Sequence, residues 1–138
     1  MRVLALSVLP LLAACDPAAL ATFDIRPQPD RPIDSSFVSE ASRIGRDFAQ
    51  RYQLTPMHRQ ECPGGGYYAD DTARGRHVGL NLCLGPIGQI PIEKQFRFSV
   101  EEIITFYWGP KGAALRDELE DTLKARYGDA VKADITRR

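Results

Sequence analysis

Four residues able to ligate a soft metal or move protons stand within one stretch of the chain: His58, Cys62, His77 and Cys83. The spacings His-x3-Cys and His-x5-Cys resemble a tetrahedral zinc set, in which imidazoles and thiolates close a loop around the ion. Geometry opposes it. His77 to Leu84 alternates Val78, Leu80, Leu82 and Leu84 with Gly79, Asn81 and Cys83, the period of a strand. Six residues of strand hold His77 and Cys83 ~20 Å apart at ~3.3 Å per residue, too far for one metal. The competing reading is a disulfide between Cys62 and Cys83, with the histidines incidental.

Other chemistry is thinner. Pro63-Gly64-Gly65-Gly66 lacks the Lys-Ser/Thr of a phosphate-binding loop and reads as a tight turn. Asp70-Asp71 and Glu101-Glu102 are adjacent acidic pairs on expected strands. Neighbours on a strand point to opposite faces, so neither pair forms an acid/base couple, and both are expected at solvent, a turn or a bulge. Ser35, Ser36 and Ser42 have no Gly-x-Ser-x-Gly around them. A small hydrolase using His58 or His77 is an alternative that residue types permit and no motif orders. No catalytic residue, metal or cofactor is assigned.

The most specific signal is at the start of the chain. Arg2 supplies a charge, Val3 to Leu12 is apolar except for Ser7 and Pro10, and Ala13-Ala14 precede Cys15. The run fits the apolar region of an export signal and falls short of the ~20 residues a membrane-spanning helix needs. Leu12-Ala13-Ala14-Cys15 resembles, residue by residue, the lipobox of bacterial lipoproteins: an aliphatic residue, two small ones, then cysteine. That resemblance covers about the first fifteen residues. It implies removal of a signal peptide, 1–14, by the lipoprotein signal peptidase and a diacylglyceryl group on the Cys15 thiol. Acylation of the new amino terminus would follow the same pattern. In enteric members of the family, an aspartate after the lipidated cysteine retains the protein in the inner membrane, so Asp16 favours that membrane slightly. Two or three acyl chains on one cysteine give lasting attachment, since each buried methylene contributes ~0.8 kcal/mol.

With Cys15 set aside for lipid, the resemblance implies that Cys62 and Cys83 reside in an oxidising compartment, where a disulfide is the expected state. The bridge would close a loop of about twenty residues and contribute roughly 3 kcal/mol in the chain-entropy account.

Composition bounds the remainder. Of 138 residues, 43% are hydrophobic and 26% charged, which is globular. Lysine plus arginine and aspartate plus glutamate balance at 18 each, so no global field attracts nucleic acid.

The elements expected to position these residues follow from periodicity. Pro17, Pro27, Pro29 and Pro32 mark 15–34 as the lipidated terminus and an extended tether, with a short edge strand around Phe23 and Ile25 as an option. The folded domain is expected over 35–138. A helix capped by Ser35 or Ser36 aligns Phe37, Ala41, Ile44, Phe48 and Tyr52 on one face. Pro56 to Gly66 is expected as a loop, followed by strands from Tyr67 to Asp71 and from His77 to Leu84. Gln95 to Trp108 reads as a strand with a bulge near Glu101-Glu102, although Ser99 and Glu102 have the spacing of a helix capping box. A second helix from about Ala113 to Tyr127 buries Leu115, Leu119 and Leu123 and stops at Gly128. Val131, Ala133 and Ile135 form a closing strand.

The fold class is therefore α+β: an antiparallel sheet of about three to five strands with two helices packed on one face. The expected function is that of a lipid-anchored envelope protein facing the periplasm, working as a binding or accessory module. Its partner classes are the membrane, through Cys15, and an envelope protein or cell-wall polymer. A mainly structural role in envelope integrity is a further alternative.

Overall fold

The computed structural model describes residues 18–57, 66–71, 77–85, 95–103 and 107–136. It is a two-layer α+β arrangement with a six-stranded antiparallel sheet, one strand more than the upper expected number. In chain order the elements are β1 (Ala18–Ile25), α1 (Ser35–Arg51), β2 (Thr55–Met57), β3 (Gly66–Asp71), β4 (His77–Gly85), β5 (Gln95–Ile103), α2 (Pro110–Tyr127) and β6 (Val131–Ile135). Across the sheet the order is β2-β3-β4-β5-β1-β6.

Side-chain alternation sorts the sheet into two faces. Ala21, Phe23, Ile25, Val78, Leu80, Leu82, Phe96, Phe98 and Val100 are buried beneath the helices. From α1 they meet Phe37, Ala41, Ile44 and Phe48, and from α2 they meet Leu115, Leu119, Leu123 and Tyr127. Phe37 links both helices to the sheet, with its ring centroid 5.6 Å from Phe96 and 5.1 Å from Tyr127. Gly45 lets α1 approach β4 closely: a Cβ there would stand 2.7 Å from Leu82 Cδ1.

Four local expectations change. The residues expected as tether include β1, which is an interior strand, paired with β5 from Ala18 and with β6 from Ala21. Its core side chains are partly alanines, which register weakly in a hydrophobic pattern but pack well under a helix. The N-cap of α1 is Asp34, whose Oδ1 accepts from Phe37 N at 2.9 Å, one position ahead of the expected serines. The expected loop after α1 begins with edge strand β2, where Pro56 is tolerated because only one side is paired. Finally, α2 starts at Pro110, whose fixed φ suits the first helical turn and whose missing N–H is not needed there.

β5 is a strand through Ile103, and its register is continuous through Glu101 and Glu102 on both sides, so no bulge interrupts it. Residues 104–106 lie outside the described residues. Gly128, at φ 56°, ends α2 as its spacing predicts. Among the described residues, no helix is long and apolar enough to cross a membrane.

Candidate functional site

The two cysteines and two histidines singled out in the sequence are not described as a set. His58 and Cys62 lie outside the described residues, as do the proposed lipidation site Cys15 and residues 1–14. His77 is the first residue of β4 and pairs with Ile103, whereas Cys83 pairs with Arg97 near the other end of the strand. Cys83 is disulfide-bonded. Among the described residues, no group of three or more histidine, cysteine or acidic side chains could hold a metal ion.

The acidic pairs do split across the sheet, but one carboxylate of each is buried where solvent, a turn or a bulge was the expectation. Asp70 is 5% exposed and Glu102 1% exposed. Asp70 accepts from the Tyr68 hydroxyl at 3.2 Å on the face away from the helices. Asp71, on the helix face, is ion-paired with Lys111 at 2.5 Å. Glu102 replaces an apolar residue in the core and accepts from Gly109 N at 2.7 Å. Each buried carboxylate has a donor, as burial requires.

The face away from the helices is polar. Its central feature is Arg97, whose Nε and a terminal nitrogen donate to the two carboxylate oxygens of Asp24 at 2.6 and 2.8 Å. The Asp24 hydrogen bond holds the proton on Arg97 more tightly than usual, against the opposing effect of burial. Tyr68 is only 3% exposed on this same face. Its hydroxyl and the Glu101 carboxylate crowd the space above Gly79, where a Cβ would lie 3.2 and 3.1 Å from them. The Arg97–Asp24 pair ties β5 to β1 across this face.

The accessible candidate lies between the helices. A groove of about 470 Å³ has Ile44 and Phe48 at its floor, Glu40, Arg43, Asp47 and Arg51 along one wall, and Thr122 and Arg126 along the other. Helical spacing explains the wall: Glu40, Arg43, Asp47 and Arg51 recur at steps of three and four, flanking the buried stripe. Ion pairs tie it together. Arg43 meets Asp47 at 3.1 Å, Arg51 meets Glu118, and Arg126 Nε donates to Glu40 at 2.6 Å. Tyr52 donates to Glu118 at 2.5 Å, so both ends of α1 are clasped to α2.

Tyr127 donates to Glu40, one of the residues lining the groove, at 3.3 Å. Burial first, and then the Glu40 charge and hydrogen bond, push its hydroxyl up to about 12. A phenol held neutral is a hydrogen-bond donor, not a base, at physiological pH. The groove carries arginines ion-paired with carboxylates around an apolar floor of Ile44 and Phe48. Spacing along α1 alone puts Arg43, Asp47 and Arg51 beside its apolar stripe. The complementary wall from α2 is a tertiary feature that local spacing does not carry. The chain matches no protein-family model, no curated protein and no solved structure.

Proposed function

We propose that the protein is a lipid-anchored cell-envelope protein that works as a binding or accessory module. The observation that carries this reading is the Leu12-Ala13-Ala14-Cys15 lipobox, in register behind a charged and apolar leader. The disulfide at Cys83 supports an oxidising compartment. The interhelical groove supports a binding role, because its walls offer matched charges and its floor offers apolar contact.

The anchor is tested by expressing the full chain in a bacterium that processes lipoproteins. The mature amino terminus should be Cys15 carrying a diacylglyceryl mass, and Cys15→Ser should lose both that mass and membrane fractionation. Unchanged membrane association of Cys15→Ser would refute the anchor. The groove is tested with photocrosslinkers at Arg43 and Thr122, compared with one at Lys132 on β6. Adducts confined to the groove positions support the binding site, and equal labelling at all three overturns it.

A further inference from the structure

The anchor proposed above has an orientation built into it. We infer that the end of the sheet where β1 begins lies against the phospholipid bilayer, with Tyr107 and Trp108 at the interface; this rests on lipidation of Cys15. Only Asp16 and Pro17 separate Cys15 from Ala18. Three Cα steps reach at most ~11 Å, so the start of β1 cannot stand far from the acyl chains. Because β1 is an interior strand bonded to both β5 and β6, its position fixes that of the whole sheet.

Three strands meet at this end. Ala18 pairs with Ile103, and Ile103 pairs with His77. In the next row, Ala19, Glu102, Val78 and Asp71 lie side by side. The start of α2 is fastened to that row twice, by Gly109 N on Glu102 at 2.7 Å and by Lys111 Nζ on Asp71 at 2.5 Å. Residues 107–111 are thus held at the same end as Ala18.

The side chains there suit a bilayer surface. Tyr107 is 76% exposed and Leu20, two residues into β1, is 37% exposed. Trp108 is half-buried, with Arg116 Cζ 5.0 Å from its ring centroid. Tyrosine and tryptophan carry an apolar body and a polar tip, which favours the headgroup level. The far end of the domain is well separated. Arg26, just past β1, donates to Ala130 beyond α2, and the eight residues of β1 span ~26 Å. The strands therefore rise from the bilayer and the interhelical groove opens sideways into the periplasm.

The chain has a single tryptophan, so its fluorescence reports this end directly. The full-length, processed protein is reconstituted in phosphatidylcholine vesicles with and without brominated acyl chains. The inference expects a clear loss of Trp108 emission in the brominated vesicles. It expects no loss for Trp108→Phe combined with Asp129→Trp, which moves the probe to the far end. Undiminished Trp108 emission from protein that floats with the vesicles overturns the orientation and leaves the anchor standing. Absence of a lipid mass on Cys15 overturns the anchor and the orientation with it. The wild-type measurement needs no substitution, so it decides even if the double variant fails to fold.

Discussion

The Glu102 carboxylate lies 2.7 Å from the backbone nitrogen of Gly109. A carboxylate from a central strand thereby satisfies a donor at the start of α2, where Gly109 is the N-cap residue and has no side chain to do so. The position also suits a negative charge, because the partial positive charge of a helix amino terminus lies there. Gly112 completes the fit: a Cβ on it would fall 2.4 Å from Glu102 Oε2. This pairing explains a charged residue on the apolar face of β5 without any break in the strand's register.

Glu102→Ala removes the acceptor, opens a cavity and loosens the start of α2. A loss of about 2–4 kcal/mol is expected in urea unfolding. Glu102→Gln keeps an acceptor of the same size and forfeits the charge assistance, for a loss of about 1 kcal/mol. Equal midpoints for wild type and Glu102→Ala would show that the bond contributes nothing.

Gly45 of α1 packs closely against Leu82 of β4. An alanine at 45 would place its Cβ 2.7 and 2.9 Å from the two Leu82 methyls. Overpacking of this kind costs about 1–3 kcal/mol, more than the gain in helix propensity from glycine to alanine. Gly45→Ala should therefore destabilise, and Leu82→Val should cost less in the Gly45→Ala background than alone. Additivity of the two changes in a double-mutant cycle would refute the contact.

How much of this was legible depends on whether the partner is near in sequence. Alternation in β4 and the three-four spacing of α1 are local, and both elements form where spacing places them. Spacing alone predicts a bulge at Glu102, because its partner Gly109 is reached only through tertiary folding. Around β1 the flanking prolines and the alanines at 19 and 21 suggest a tether, although Phe23 and Ile25 keep the alternation of a strand. Its interior place in the sheet is set by pairing with strands at residues 95–103 and 131–135, which no local pattern encodes. The groove needs α1 and α2 together, so the spacing of either helix alone does not reveal it.

Cys83 is disulfide-bonded, and the chain contains two other cysteines, Cys15 and Cys62. Non-reduced digests should join the Cys62 and Cys83 peptides and leave Cys15 available for lipid. Reduction should lower stability by roughly 3 kcal/mol, the entropy of a loop of about twenty residues. A Cys15–Cys83 linkage would instead remove the thiol that the anchor requires.

Tyr127 supplies a pH dependence with a definite sign. Its hydroxyl is pushed up to about 12 in the folded protein by burial and by Glu40, above the ordinary value of 10.0. The unfolded chain therefore loses this proton first as pH rises, and over that interval the folded state binds more protons. The stabilisation is fully present below the ordinary value and is lost between about 10 and 12. Its size is on the order of 1–2 kcal/mol, reduced from the full linkage value because Glu40 and Arg126 are partly in solvent. Urea midpoints measured across this range should fall faster for wild type than for Tyr127→Phe, which has no hydroxyl to titrate. Parallel curves for the two proteins would show that Tyr127 is not the residue held neutral against Glu40.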